Sequence, residues 1–372
     1  MHVGGIRTLI VDDSVVMRRV VRDVLSSDPE IEVIAVAADG RIALTKIEQN
    51  LPDIVVLDME MPEMDGLETL QALRRSHPHL PVIMFSSLTA LGAVATLNAL
   101  AAGAADYVTK PGNVGSFEES KERIREQLIP KIKALALRQR VPLAGATGSP
   151  VNGSAIRAWT RSPAASRTVT APVEVVVIGS STGGPNALAE IIPLLPGDFP
   201  VPILIVQHMP PTFTQFLAQR LDQHSELAVE EGREGEYIIP GKIFIAPGDF
   251  HMTMGDEKQF PKVKLHQGAQ ENSCRPSVDV LFRSAAALYG GGVLAVVLTG
   301  MGQDGLLGCE RIREAGGQIV VQDEASSVVW GMPGAVCRAG LADAVLPLAD
   351  ITNEILRRTT VVREARPWAV AR

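Results

Sequence analysis

Three side-chain types that together can transfer an acyl group each stand just past an apolar run in the second half of the chain. Residues 175–178 (Val-Val-Val-Ile) lead into Gly179-Ser180-Ser181-Thr182-Gly183-Gly184, residues 203–206 (Ile-Leu-Ile-Val) into Gln207-His208, and residues 293–298 (Val-Leu-Ala-Val-Val-Leu) into a loop ending at Asp304. Short β-branched runs of this kind read as buried strands, so all three side chains fall at strand ends, where open α/β sheets hold their ligands. A serine hydroxyl is a weak nucleophile at neutral pH and needs a base, usually an imidazole held by a carboxylate. Of His208, His224, His251 and His266, His208 alone directly follows a predicted strand. The glycine-rich loop admits a second chemistry, because the free N–H groups of a strand-to-helix turn also cradle phosphate. It lacks, however, both the G-x-G-x-x-G spacing and the G-K-[ST] of a phosphate loop, and it departs from the G-x-S-x-G elbow. Ser180 and Ser181 are both candidates on this reading.

The first half carries different chemistry. Asp12 and Asp13 close one predicted strand and Asp58 another; Ser86 ends a third, and Lys110 follows a fourth and precedes Pro111. Three carboxylates gathered on one sheet edge repel one another unless a hard cation joins them, which makes Mg²⁺ the natural partner. The Ser86 hydroxyl and Lys110 ammonium could then hold the oxygens of a phosphoryl group on Asp58.

Two α/β domains are needed to position these groups. Apolar runs at 6–11, 31–36, 54–57, 82–85 and 106–108 alternate with helical patterns at 15–25, 41–49, 67–75 and 91–102, which implies a parallel sheet covered on both faces. From residue 173 a second series begins, with strands at 175–178, 203–206, 242–245, 293–298, 318–321 and 344–346. Helices are expected at 186–195, 213–222, 278–289, 306–315 and 351–358, giving a mainly parallel sheet of six or more strands. Residues 1–112 and 173–360 are the expected domains. The connector at 113–172 is a charged helix over 117–140 and then a Pro/Gly/Ser/Ala-rich basic stretch; 361–372 is a tail.

Composition agrees with a globular protein: 372 residues, 46% hydrophobic and 21% charged. The net charge of −7 argues against nucleic acid as a partner, though it is uneven: the connector is +6, with −6 before it and −7 over all of 173–372 after it. Three cysteines, Cys274, Cys309 and Cys337, have no C-x-x-C spacing, which suggests neither a disulfide framework nor a zinc site. No apolar run is long enough to span a bilayer and no signal pattern opens the chain, so a cytoplasmic monomer without membrane insertion is expected.

The first domain resembles the response-regulator receiver domains of two-component signalling. The likeness lies in Val11-Asp12-Asp13-Ser14, Leu57-Asp58-Met59-Glu60-Met61-Pro62 with Asp65-Gly66 behind it, Ser86-Ser87 and Thr109-Lys110-Pro111. It implies that Asp58 accepts a phosphoryl group from a histidine kinase, with Mg²⁺ on Asp12, Asp13, Asp58 and the Met59 backbone carbonyl. Ser86, Tyr107 and Lys110 fall on the family's switch positions.

The second domain resembles the catalytic domain of chemotaxis protein-glutamate methylesterases. The shared motifs include Ile178-Gly179-Ser180-Ser181-Thr182-Gly183-Gly184-Pro185, Gln207-His208-Met209-Pro210, Arg275-Pro276-Ser277-Val278-Asp279 and Leu298-Thr299-Gly300-Met301, with Asp304-Gly305 closing the last. The resemblance selects Ser181 over Ser180 as nucleophile, with His208 as base and Asp304 as its orienting acid. It implies demethylation of glutamate methyl esters, and deamidation of selected glutamines, on methyl-accepting chemoreceptors, through an acyl-enzyme and without a cofactor. Backbone N–H groups of Thr182 and Met301 are the expected oxyanion donors. In such proteins the unphosphorylated receiver obstructs the active site. A non-catalytic receptor-binding adaptor is the alternative from another class.

Overall fold

The computed structural model describes residues 5–111, 117–140, 171–255 and 260–360. The stretch 141–170 of the expected linker and the tail at 361–372 lie outside the described residues. The first sheet comprises β1 (Ile6–Val11), β2 (Ile31–Ala37), β3 (Ile54–Asp58), β4 (Val82–Ser86) and β5 (Asp106–Thr109), all parallel in the order β2-β1-β3-β4-β5. Its helices are α1 (Val15–Ser26), α2 (Gly40–Gln49), α3 (Gly66–Ser76), α4 (Ala90–Ala101) and α5 (Phe117–Arg140). Local chemistry starts them where expected: Ser14, Asp39 and Thr89 cap the first turns of α1, α2 and α4, and Asp65 forms a reciprocal capping box with Glu68 at α3.

One boundary needs correction. The helix that the sequence placed in the connector belongs with the first domain by its packing. Ile124, Leu128, Ile132 and Leu135 of α5 are buried in one cluster with Val20, Val21, Ile10 and Phe85. Their helical spacing is the stripe that covers the open face of the sheet, so 117–140 supplies the core rather than the tether.

The second sheet has seven strands in the order β14-β13-β12-β6-β7-β9-β8. These are β6 (Val175–Ser180), β7 (Ile203–Gln207), β8 (Ala228–Glu231), β9 (Lys242–Ile245), β12 (Val293–Val297), β13 (Gln318–Gln322) and β14 (Ala344–Leu346), every pairing parallel. A separate antiparallel pair, β10 (His251–Met254) with β11 (Val263–His266), was not expected from sequence, nor was the edge strand β8. The helices are α6 (Gly184–Ile191), α7 (Phe213–Asp222), α8 (Val278–Tyr289), α9 (Leu306–Glu314), α10 (Met332–Arg338) and α11 (Leu348–Thr359). The strand order sets β12, β6 and β7 side by side in the middle of the sheet. Their carboxyl ends therefore open onto one shared mouth.

The two domains are packed together. Helix α4 lies against α6 and α7, and Leu97, Leu100 and Tyr107 share a buried cluster with Leu188, Phe213 and Leu217. Among the described residues no helix is long and apolar enough to cross a membrane.

Candidate active site

The turn after β6 depends on two glycines. Gly183 sits at φ +78°, a left-handed conformation open to glycine at little cost, and a Cβ on Gly184 would fall 1.9 Å from Gln207 Oε1. This tight turn gives the two serines different fates. Ser180 is fully buried and its Oγ donates to Gln207 Oε1 at 2.7 Å, a bond that helps tie the end of β6 to β7. The same amide donates from Nε2 to the Ser181 carbonyl at 2.9 Å. Ser181 is half-buried at the mouth, its backbone N–H fixed by Thr299 O at 3.0 Å. Only Ser181 has its hydroxyl uncommitted: among the described residues it forms no hydrogen bond to His208 or to any other group.

His208 is positioned from its backbone, which donates to Ser180 O at 3.1 Å. Its Nε2 meets Asp304 Oδ2 at 2.8 Å, and its Nδ1 faces Cys274 Sγ at 3.6 Å. Asp304 does not cap the helix that follows it, since Gly305 holds that position without a side-chain bond. Instead it sits at the N-terminus of α8, where it accepts from Val278 N at 2.7 Å and Asp279 N at 3.0 Å. Ser277 Oγ, Asn272 Nδ2 and Gly305 N also donate to its Oδ1. Free N–H groups at a helix start favour an anion, so α8 holds this carboxylate ionised and in place.

The pair is electrostatically coupled. Burial works against a charged imidazole, but the Asp304 hydrogen bond, with the Cys274 contact beside it, outweighs burial and raises His208 above the ordinary imidazole value. Burial likewise pushes Asp304 up, and the bonds from His208 and from the Asp279 and Val278 N–H groups outweigh it and hold the carboxyl low. The backbone N–H groups of Thr182 and Met301 donate to no protein acceptor among the described residues, as an oxyanion site requires.

In the first domain Asp12 and Asp58 are buried, while Asp13 is exposed at the rim. Lys110 Nζ bonds Asp58 Oδ1 at 2.7 Å and lies 3.3 Å from Asp12 Oδ2, outside hydrogen-bonding geometry. The three aspartates each present an oxygen within 4.8 Å of the others, and Oδ2 of both Asp12 and Asp58 is buried without a hydrogen-bond partner. That donor set suits a hard divalent cation. The Met59 carbonyl already accepts from Gly66 N at 3.0 Å and keeps one lone pair for a further ligand. Burial pushes the Asp58 carboxyl up to about 6, with the charge of Asp12 adding and the Lys110 hydrogen bond opposing.

The expected switch residues do not all meet Asp58. Ser86 Oγ donates to Gly92 O in α4 at 3.2 Å. Tyr107 is buried between the domains, its ring stacked on Phe213 at 5.1 Å and 9°. Beside it Asp106 Oδ2 accepts from Lys131 Nζ at 2.8 Å and, across the interface, from Thr182 Oγ1 at 2.7 Å. Thr182 directly follows Ser181, so the first domain grips the serine loop itself. Sequence reasoning missed Asn272, Cys274 and Ser277. The one signal for them was the motif 275–279, which fixes where α8 begins.

The fold and its two sites define a class: an acidic strand-end pocket on a five-stranded domain, joined to an α/β domain with serine, histidine and aspartate at one sheet edge. Comparison with known proteins agrees. Family models match residues 8–120 as a response regulator receiver domain and residues 176–355 as a CheB methylesterase. The protein-glutamate methylesterase/protein-glutamine glutaminase of Trichodesmium erythraeum (strain IMS101) is 52% identical over 352 residues, covering 95% of this chain and 98% of that one. The protein of the same name from Nocardioides sp. (strain ATCC BAA-499 / JS614) is 51% identical over 356 residues and covers 95% of each chain. The chain belongs to the protein-glutamate methylesterase/protein-glutamine glutaminase family, and is a hydrolase with a receiver domain.

Proposed function

We propose that the protein removes methyl groups from glutamate methyl esters, and deamidates particular glutamines, on the cytoplasmic domains of chemoreceptors, and that phosphorylation of Asp58 releases this activity. The observation that carries the reading is the His208–Asp304 pair at 2.8 Å, set at the mouth that the Ser181 loop also lines. With Nε2–H donated to Asp304, neutral His208 keeps its lone pair on Nδ1. Ser181 Oγ attacks the ester carbonyl as its proton passes to Nδ1, and the oxyanion is met by the N–H groups of Thr182 and Met301, each such donor worth about 3 kcal/mol. Collapse expels methanol, which leaves with the proton from His208. His208 then takes a proton from water, whose oxygen attacks the acyl-serine; glutamate departs and Ser181 recovers its proton. A glutamine amide follows the same course with ammonia as leaving group.

Mg²⁺ held by Asp12, Asp13, Asp58 and the Met59 carbonyl would supply positive charge against the incoming phosphoryl group from a histidine kinase. Lys110 offers an ammonium to the same oxygens. In the unphosphorylated form the receiver contacts the serine loop through Asp106 and Thr182. Further contacts are the Tyr107–Phe213 stack and two bonds from the second domain to α4 carbonyls, Asn186 Nδ2 to Leu100 O at 2.9 Å and Arg220 to Leu97 O at 2.8 Å. A large receptor cannot reach a mouth so covered. The uncommitted Ser181 hydroxyl fits a resting state whose base and nucleophile are not yet aligned.

The test is methanol release from methylated receptor membranes. Ser181→Ala should abolish it and should also prevent labelling by a sulfonyl fluoride; undiminished release from that variant refutes the nucleophile assignment.

A further inference from the structure

The turn at 271–274 approaches the base pair from outside the sheet. Glu271 and Cys274 exchange both backbone hydrogen bonds, and the two residues between them, Asn272 at φ 52° and Ser273 at φ 60°, take left-handed conformations. Glu271 is anchored by a two-pronged bond from Arg283 of α8. The turn thereby aims a single amide at two acids: Asn272 Nδ2 donates to Asp304 Oδ1 at 2.9 Å and to Asp279 Oδ2 at 2.9 Å. Asp279 is buried, its other oxygen taken by Gly308 N at 2.6 Å, and among the described residues nothing cationic contacts it. Two carboxylates are thus held side by side behind His208 with one neutral amide between them.

We propose that Asn272 is a positioning residue for the His208–Asp304 pair: its bridging amide lets both carboxylates share one site and so limits how strongly Asp304 holds a proton on His208. This rests on the assignment of His208 as the base. The physical reason is charge density. Each donor to Asp304 Oδ1 withdraws charge from the carboxylate that faces the imidazole, and the amide also screens Asp304 from the repulsion of Asp279. Without it the imidazolium is favoured still more, and a protonated imidazole accepts nothing from Ser181. The other titratable groups facing this cluster are Cys274 at His208 Nδ1 and His251 of β10. His251 Nδ1 accepts from Ser277 N at 3.2 Å while its Nε2 bonds Ala269 O at 2.9 Å. Two ion pairs, Arg275–Asp249 and Arg283–Glu271, frame the turn without touching Asp304.

Asn272→Gly removes the amide while suiting the left-handed backbone, so the turn survives. In the full-length protein the His208 ring titration, followed by ¹⁵N-histidine NMR and assigned by its loss in His208→Gln, should move upward by about one pH unit. The acidic limb of kcat/KM for ester hydrolysis should move with it, and a tenfold lower rate below the limb should be recovered at higher pH. Asp279→Asn in the Asn272→Gly background offers a new amide from the opposite side and should return the titration towards the original value. An unmoved or lowered His208 titration in Asn272→Gly overturns the inference, as does a double variant that stays shifted. Because the titration needs no turnover, it reads the inference even where ester hydrolysis itself fails.

Discussion

Arg220→Met tests the closed arrangement without entering either site. Arg220 extends from α7 to the carboxyl-terminal part of α4, where a cation is favoured by the helix dipole. Its guanidinium bonds Leu97 O at 2.8 Å and approaches Asn98 Oδ1 at 3.4 Å. Methionine keeps most of the apolar stem and removes both contacts. On opening, the arginine and the carbonyl both regain water, so the net loss is that of an ordinary hydrogen bond, about 1–1.4 kcal/mol. That shifts the closed-to-open ratio roughly five- to tenfold, and below saturation the apparent affinity for receptor rises with the open fraction. Methanol release by the unphosphorylated variant should therefore increase by about that factor, while the rate with acetyl phosphate and Mg²⁺ stays at the original ceiling. Far-ultraviolet circular dichroism checks that the fold is retained. An unchanged basal rate, with the phosphorylated rate also unchanged, would refute the claim that these contacts hold the mouth shut.

Ser180→Ala should keep esterase activity within a few-fold and lower stability by about 1 kcal/mol, since it removes only the buried bond to Gln207; a loss as deep as that of Ser181→Ala would reverse the two serines' roles. Asp58→Asn should stabilise the Mg²⁺-free protein at pH 8. A carboxyl raised to about 6 keeps its proton in the fold while the unfolded chain has lost it, so stability drains away as pH climbs from about 4 to about 6, at most by roughly 3 kcal/mol. The variant cannot ionise and escapes that loss, so a thermal midpoint no higher than the parent's at pH 8, or a gap that persists at pH 4, counts against a strained Asp58.

What was legible in the sequence was whatever lies at the end of an apolar run. Asp12, Asp58, Ser181, His208 and Asp304 each terminate or closely follow such a run, and strand order then brings them to common edges. Period alone could not choose between Ser180 and Ser181, because they are neighbours; the resemblance chose Ser181, and the burial of Ser180 against Gln207 agrees with that choice. The cradle of Asp304 was illegible for a different reason. Most of its donors come from residues 272–279, a turn and a helix start that carry no apolar periodicity and reach Asp304 only through tertiary packing. The interdomain face had left a trace. The sequence of α4 is apolar nearly all round, with Ala, Leu and Val outside the stripe that faces its own sheet, and a helix of that kind needs cover on more than one side. The short strands β8, β10 and β11 are four residues each, with charged or polar residues interleaved, too brief to stand out from loops.

In the proposed mechanism, the bond between His208 Nε2 and Asp304 leaves Nδ1 as the nitrogen that would move the proton. Nδ1 is attached directly to the carbon that joins the ring to its stem, whereas Nε2 lies one bond further out. The working atom is therefore on the short end of the lever, and swings of the ring displace it less. Its place is set mainly by the backbone at the end of β7, which is tied to β6 through the His208 N–H and the Gln207 amide. On that mechanism, aim is a matter of how two strands are sutured together more than of which rotamer a side chain adopts. A small slip between those strands would misdirect the proton even with every named side chain intact.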